Sequence, residues 1–168
     1  MIAAEYIKTF QDIKSSRNNS VALLGQPGSG KTHLTIAIAN ELLRRGTGVL
    51  YMPYREVITQ LKQVINDEED YQIQMNKYKS APVLLIDDLF KGATRDGKIN
   101  ESEMRIMFEL INHRYLKQLP LLVSSEFFVD RLIDYDDATG SRIVEMCKGR
   151  IVELKGKELN HRMEGLNE

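Results

Sequence analysis

A glycine-rich segment directly after a short apolar run constrains this chain more than any other feature. The apolar run is residues 21–24, and a helical pattern begins at Lys31 and continues to about Arg45. The segment between them matches the pattern G-x-x-x-x-G-K-[ST], as Gly25-Gln26-Pro27-Gly28-Ser29-Gly30-Lys31-Thr32. A strand before this pattern and a helix after it are the context that a phosphate-binding loop requires. The chain is therefore predicted to contain a P-loop.

The residue types of this loop fit the chemistry of a bound triphosphate. Glycines let the backbone approach a ligand closely, and the loop amides then point at phosphate oxygens near the positive end of the following helix. Lys31 is predicted to contact the β- and γ-phosphates, and the hydroxyl of Thr32 is predicted to bind Mg²⁺. All eight residues, 25–32, are candidate nucleotide-binding residues.

Four more apolar runs alternate with helical patterns along the chain. The runs are residues 49–52, 83–86, 121–123 and 151–154, the last of which alternates and predicts an edge or half-exposed strand. The helical patterns cover about 55–65, 101–117 and 138–148. Uninterrupted apolar runs are typical of strands buried on both faces of a parallel sheet, and this alternation is typical of α/β folds. We predict one α/β domain over residues 1–168, with an N-terminal helix and lead-in at 1–19 and a core at 20–163.

Two adjacent acids follow the third apolar run, at Asp87 and Asp88. An acid that ends a strand lies at the carboxyl edge of the sheet, where a phosphate loop also lies. Asp87 is predicted to bind Mg²⁺ through water, since Mg²⁺ keeps much of its hydration shell. Asp88 is predicted to orient a water molecule for attack on the γ-phosphorus; the alternative is that it only caps the following loop.

Other acidic segments are predicted to be structural. Asn100 followed by Glu103 resembles a capping box at the start of a helix. The run Asp67-Glu68-Glu69-Asp70 is a solvated loop or a helix start. The group Asp130, Asp134, Asp136 and Asp137 lacks the spacing of a calcium loop, so we predict loop and N-cap roles for it.

Composition excludes several classes of protein. The chain has 168 residues, of which 42% are hydrophobic and 28% are charged, and its formal net charge is −1. Neither wholesale disorder nor a global attraction to DNA or anionic lipid is therefore expected. The single cysteine, Cys147, forms no disulfide within the chain. Because no apolar run approaches the length of a membrane span and the first residues lack a signal-peptide pattern, we expect a soluble, cytoplasmic protein with no membrane partner.

With these residues placed, the chain resembles AAA+ ATPases of the DnaC/DnaI type, which are bacterial and phage replicative helicase loaders, and the related IstB transposition helpers. The resemblance covers about residues 2–163 and includes the phosphate loop with Thr32-His33-Leu34 after it. The other matching segments are Leu85-Ile86-Asp87-Asp88-Leu89-Phe90-Lys91-Gly92, Ile111-Asn112-His113-Arg114-Tyr115, Leu119-Pro120, Ser124-Ser125-Glu126 and Gly140-Ser141-Arg142-Ile143.

This resemblance implies an AAA+ P-loop NTPase core, in which helices cover both faces of a five-stranded, mainly parallel sheet and the small helical lid is reduced or absent. It also implies that ATP and Mg²⁺ bind between the subunits of a homo-oligomer. Hydrolysis to ADP and phosphate is expected to be weak and oligomer-dependent. In DNA replication, the ATP state would control binding to single-stranded DNA and to a replicative helicase within a primosome.

The resemblance also implies roles for residues outside the phosphate loop. A polar residue at the end of the fourth strand senses the γ-phosphate in such proteins. Loaders often carry asparagine where this chain has Glu126, so either Ser125 is the sensor or Glu126 holds the attacking water.

Arg142 is the candidate arginine finger, which reaches the ATP of a neighbouring subunit. Some loaders have a second arginine four residues later, where this chain has Met146, so Arg150 and Arg114 remain alternatives. Arg162 is the nearest candidate for a basic residue that senses nucleotide within its own subunit.

Two other functions are compatible with the same residues. One is a nucleotide-dependent DNA- or partner-binding module with little hydrolysis. The other is a small-molecule P-loop kinase, although the sequence shows neither an acceptor-pocket signature nor an arginine-rich closing lid. Transfer of phosphate to a metabolite, rather than its release, would identify the kinase.

Overall fold

Five parallel strands form the central sheet of the protein. The computed structural model describes residues 2–95 and 98–155. Its strands are β1 (Val21–Gly25), β2 (Val49–Pro53), β3 (Val83–Leu89), β4 (Thr94–Arg95), β5 (Lys98–Ile99), β6 (Leu121–Ser125) and β7 (Ile151–Leu154). The sheet order is β2-β3-β6-β1-β7, and every neighbouring pair is parallel. Strands β4 and β5 form a separate antiparallel pair. The predicted five-stranded sheet is confirmed.

Seven helices are described around this sheet. They are α1 (Ile2–Ile13), α2 (Lys31–Arg44), α3 (Tyr54–Gln63), α4 (Glu68–Ser80), α5 (Glu101–Lys117), α6 (Val129–Tyr135) and α7 (Asp137–Met146). Within the described parts of the chain, no helix combines the length and the apolar character needed to cross a bilayer.

The three inner strands, β1, β3 and β6, are buried because helices cover both faces of the sheet. Side chains of β1 alternate between two apolar clusters: Ala22 and Leu24 belong to one, and Val21 and Leu23 belong to the other. The first cluster includes residues of α3 to α7, and the second includes residues of α1 and α2. The uninterrupted runs of β1, β3 and β6 therefore reflect burial on both faces, as predicted from the sequence. Residues 49–52 form the edge strand β2, in which Tyr51 is 48% exposed, so the prediction of burial on both faces is wrong for this run.

Helix α4 has only a weak signal in the sequence. Asp67 is its N-cap and accepts a hydrogen bond from the amide of Asp70, and the acids of its first turn interact favourably with the helix dipole. The acidic run is thus the start of a helix rather than a solvated loop. Because only Tyr71 and Met75 of this helix are buried, its apolar stripe is too short to predict the element clearly.

The second acidic group divides between two helices. Asp136 is the N-cap of α7, and its carboxylate accepts a hydrogen bond from the amide of Thr139, as predicted. Asp130 and Asp134 lie within α6, so the prediction of a loop at these positions is wrong. This helix has only seven residues, which is too short for a recognisable helical period.

The predicted cap of α5 is present, but Glu103 has a further role. The side chain of Asn100 accepts a hydrogen bond from the amide of Glu103. The carboxylate of Glu103 is 1% exposed and accepts hydrogen bonds from Tyr54, Arg55 and Lys62. It therefore ties α3 to the start of α5.

Arg114 joins α5 to the end of α4 and to β6. It is fully buried, and its guanidinium donates hydrogen bonds of 2.8 Å to the carbonyl oxygens of Tyr78, Ala81 and Pro120. Burial lowers the pKa of Arg114 to about 9. This residue closes the carbonyl end of α4, where helix geometry leaves acceptors without partners.

We expect Arg114→Ala to lower the free energy of unfolding by about 3–5 kcal/mol, because it leaves several buried carbonyl groups without donors. Urea denaturation measures this change. Arg105→Ala is the control, since Arg105 lies on the same helix with its side chain 83% exposed; we expect a change within about 0.5 kcal/mol. Equal effects of the two substitutions would contradict the structural role of Arg114.

Candidate nucleotide-binding site

The phosphate loop connects β1 to α2, and only glycine fits at the first position of this loop. Gly25 has a φ of 142°, and a Cβ atom there would lie 2.2 Å from the carbonyl oxygen of Leu154. At the other end of the loop, Gly30 is the N-cap of α2 in the left-handed conformation, with a φ of 82°. The hydroxyl of Ser29 donates to the carbonyl oxygen of Gln26 across the loop.

Lys31 lies within this loop. It is 5% exposed, and its ammonium donates hydrogen bonds to the carbonyl oxygens of Gly25 at 2.8 Å and Gln26 at 2.7 Å. The loop therefore concentrates one positive charge and the first amides of α2 in the same small volume. This combination is suited to phosphate oxygens.

A cleft of about 790 Å³ opens beside the loop. It is lined by residues 27–34 together with Asp87, Asp88 and Glu126. Asp87 and Asp88 lie near the carboxyl end of β3, and Glu126 directly follows β6, which lies between β3 and β1 in the sheet. The cleft lies at the carboxyl edge of a parallel sheet, where ligands of such folds bind, and its volume is sufficient for a nucleotide.

Asp87 is held by three hydroxyl groups. Its Oδ1 accepts hydrogen bonds from Thr32 at 2.9 Å and from Ser124 at 2.5 Å. Its Oδ2 accepts one from Tyr51 at 3.0 Å. Burial, together with the hydrogen bond to Asp87, raises the pKa of Tyr51 to about 12, so the phenol remains a donor at neutral pH. The predicted pairing of the loop with Asp87 is therefore present in the fold.

Thr32 and Asp87 form a donor set that fits Mg²⁺ better than a transition metal. Hydroxyl and carboxylate oxygens are hard ligands, and Mg²⁺ is usually bound by one or two protein groups together with phosphate and water. Among the residues that the structure describes, no group of three or more His, Cys, Asp or Glu side chains is arranged for a metal ion.

Asp88 lies in the cleft and also belongs to a tight turn. Its φ is 56°, and its amide donates to the hydroxyl of Ser124. The ammonium of Lys91 lies 2.8 Å from Asp88 Oδ2 and 3.5 Å from Glu126 Oε1. These contacts, with the hydrogen bond to Asp88 as the largest cause, raise the pKa of Lys91. The carboxylate of Asp88 thus both lines the cleft and stabilises the turn that follows β3.

Ser125 and Glu126 point in different directions at the end of β6. Ser125 is fully buried, and its hydroxyl donates to the carbonyl oxygen of Leu89 and accepts from the amide of Phe127. Glu126 lines the cleft. Of Ser125, the candidate sensor, and Glu126, the candidate for holding the attacking water, only Glu126 lines the cleft beside the phosphate loop.

The arginines considered as fingers occupy different environments. Arg142 lies on α7, where it donates to the side chain of Asn112 and to the carbonyl oxygen of Ala138. Arg150 donates to the carbonyl oxygen of Asn18. Neither lines the cleft of its own chain. Arg114 is buried and bonded to carbonyl groups, so it is unable to reach a neighbouring subunit. Arg162 lies outside the described residues.

Three residues near the cleft were not predicted from the sequence as site residues. Tyr51 belongs to an apolar run, and the sequence carries no signal that its hydroxyl reaches the neighbouring strand. Ser124 stands next to the predicted sensor Ser125, and the alternation of side chains along a strand indicates that only one of the pair faces a given side. Lys91 is separated from Glu126 by 35 positions, so their contact depends on the strand order.

Comparison with known proteins places the chain in a family. The IstB-like ATP binding protein family matches residues 4–162. Phage-like element PBSX protein XkdC of Bacillus subtilis (strain 168) is 46% identical over 165 residues, which are 96% of this chain and 61% of XkdC. Replicative helicase loader DnaI of the same strain is 28% identical over 130 residues, which are 76% of this chain and 39% of DnaI. The chain thus spans less than two thirds of each relative.

The fold has a close counterpart among solved structures. The replication initiator DnaA bound to AMPPCP and single-stranded DNA superposes with a TM-score of 0.72 at 24% identity, covering 99% of this chain and 51% of that chain. At this identity, the likeness to the solved structure shows the fold alone. The family is shown by the sequence match over residues 4–162. The resemblance inferred from the motifs is thereby confirmed. The chain belongs to the IstB-like ATP-binding family, whose core is the AAA+ P-loop domain.

Proposed function

We propose that this protein hydrolyses ATP to ADP and phosphate with Mg²⁺, and that its ATP state controls binding to single-stranded DNA and to a replicative helicase. The observation that carries the proposal is the pairing of Thr32 with Asp87 across the cleft, at 2.9 Å, with Asp88 lining the same cleft. Binding of a triphosphate with Mg²⁺ requires only the phosphate loop, Thr32 and Asp87. The second carboxylate, that of Asp88, supports ATP hydrolysis as the function rather than ATP binding alone.

Each group of the site has one task in this proposal. The loop amides and Lys31 bind the phosphates, and Asp88 accepts a hydrogen bond from the attacking water and orients it. Thr32 and Asp87 would hold Mg²⁺, which neutralises charge on the phosphates when bound. Tyr51 and Ser124 fix the orientation of the Asp87 carboxylate, as hydrogen-bonded neighbours do for metal ligands.

Full activity is proposed to need a second subunit. No arginine is among the residues described around the cleft, while Arg142 is on α7, outside that lining. An arginine supplied by a neighbouring subunit contributes about 10³–10⁵ in rate in related phosphoryl-transfer enzymes. We propose that Arg142 supplies it.

We expect the specific ATPase rate to rise with protein concentration, and Arg142→Ala to abolish this rise while MgATP affinity stays within about threefold of wild type, since the arginine acts in the transition state. Phosphate release over a concentration series measures both properties. The control is Arg44→Ala, which alters an exposed arginine on α2. A fast rate in dilute protein that Arg142→Ala does not change would contradict the role of the second subunit.

The similarity to a replicative helicase loader supports the proposed partners. A pull-down against a replicative helicase, with and without ATP, tests the helicase directly, and fluorescence anisotropy of labelled single-stranded DNA tests the nucleic acid. We expect ATP to change both affinities in the wild type and to have no effect on Lys31→Ala. Equal binding with and without ATP would contradict the proposed switch.

A further inference from the structure

The carboxylates of Asp88 and Glu126 meet the ammonium of Lys91 at one end of the cleft. Asp88 and Glu126 both line the cleft, although Asp88 lies near the end of β3 and Glu126 follows β6, the neighbouring strand in the sheet. Both approach the same ammonium, that of Lys91, at 2.8 Å and 3.5 Å. The side chains of Asp88, Glu126 and Lys91 are 33%, 29% and 45% exposed, respectively. Solvent therefore screens their charges only in part.

The position of Lys91 is fixed by the fold. Asp88 and Phe90 both adopt positive φ angles, of 56° and 62°, which are unfavourable for residues other than glycine and persist only where packing enforces them. The ring of Phe90 is fully buried and packs 4.5 Å from the ring of Tyr135. The amide of Lys91 also donates to the carbonyl oxygen of Asp88. The turn therefore directs Lys91 back toward the two acids.

Charge at this end of the cleft determines how well it accepts a triphosphate. With Lys91 protonated, the trio has a net charge of −1; without Lys91, the two carboxylates alone have a charge of −2. Coulomb repulsion between these carboxylates and the phosphates opposes nucleotide binding. A lysine that bridges them reduces this repulsion and also fixes the direction of the Asp88 carboxylate.

We infer that Lys91 is a positioning residue for ATP hydrolysis, which holds Asp88 toward the attacking water and offsets the combined charge of Asp88 and Glu126 beside the phosphates. This inference rests on the proposed function, because it assigns Lys91 a role in the same site. It adds a residue outside the phosphate loop and the acid pair to the machinery.

A set of four variants separates charge from structure. Lys91→Met is expected to weaken MgATP binding about tenfold, the effect of one unit charge at a partly exposed site, and to lower kcat because Asp88 loses its hydrogen bond. Glu126→Gln combined with Lys91→Met restores the net charge of −1, so its MgATP affinity is expected within about twofold of wild type while kcat stays low. Glu126→Gln alone binds at least as tightly as wild type. Lys91→Arg is expected to restore both quantities.

The controls distinguish this inference from the proposed function. Lys77→Met removes an exposed lysine of α4 that does not line the cleft, and wild-type affinity and kcat are expected. Wild-type affinity and kcat in Lys91→Met would overturn the role of Lys91 alone. A double variant that binds as weakly as Lys91→Met would overturn the charge argument. Failure of the wild type to bind MgATP would overturn the proposed function and the role of Lys91 with it.

Discussion

Asp88→Asn is expected to lower the rate of ATP hydrolysis by about 10²–10³, while MgATP binds at least as tightly as to the wild type, because one negative charge beside the phosphates is removed. The amide has the size of the carboxylate and its oxygen still accepts from Lys91, so the turn after β3 is retained. The neutral amide is, however, a much weaker hydrogen-bond acceptor than the carboxylate for the O–H groups of the attacking water. Single-turnover phosphate release measures the rate, and titration with a fluorescent ATP analogue measures the affinity.

Asp134→Asn is the matched control for this substitution, because Asp134 is an exposed acid of α6 that does not line the cleft. Its hydrolysis rate is expected to equal that of the wild type. If Asp88→Asn hydrolysed ATP at the wild-type rate, Asp88 would be only a cap for its turn. The proposed nucleotide-binding site would still stand, but no residue would then be assigned to orient the attacking water.

Lys31→Ala is expected to weaken binding of MgATP by about 100-fold or more, since it removes the one lysine that the loop places beside the phosphates. Displacement of a fluorescent ATP analogue measures the affinity. The melting temperature without nucleotide tests whether the fold is intact, because the carbonyl oxygens of Gly25 and Gln26 lose a donor.

Lys14→Ala serves as the control for Lys31→Ala, because Lys14 is an exposed lysine beyond the end of α1. It is expected to bind MgATP as the wild type does. Tight binding by a folded Lys31→Ala variant would show that the loop does not use its lysine for phosphate. The assignment of the cleft would then lose its main electrostatic support.

The parts of the fold nearest the site could be predicted from sequence, because they depend on local pattern. The strand before Gly25, the helix after Lys31 and the position of Asp87 at a strand end follow from burial on both faces of a parallel sheet. Parallel strands direct their carboxyl ends to one edge. The amino-acid pattern therefore predicts that Thr32 and Asp87 lie close together, although they are 55 positions apart.

The remaining parts depend on tertiary contacts that sequence patterns do not record. Helix α4 buries only two apolar side chains, so its period is faint. The contact of Tyr51 with Asp87 requires β2 to lie beside β3 in one register, and the contact of Lys91 with Glu126 requires β6 to lie on the other side of β3. Ser125 lies on the same face of β6 as Val123, and the alternation of side chains does not by itself show which face is nearer the phosphate loop.

Calorimetric titration of the wild-type protein with ATP, in the presence and absence of Mg²⁺, tests the central claim most directly. That claim is that the loop between β1 and α2 binds a triphosphate opposite Asp87. We predict one ATP bound per chain, with tighter binding when Mg²⁺ is present. Absence of binding heat with MgATP, over a range of temperatures and with the protein folded, would contradict the account.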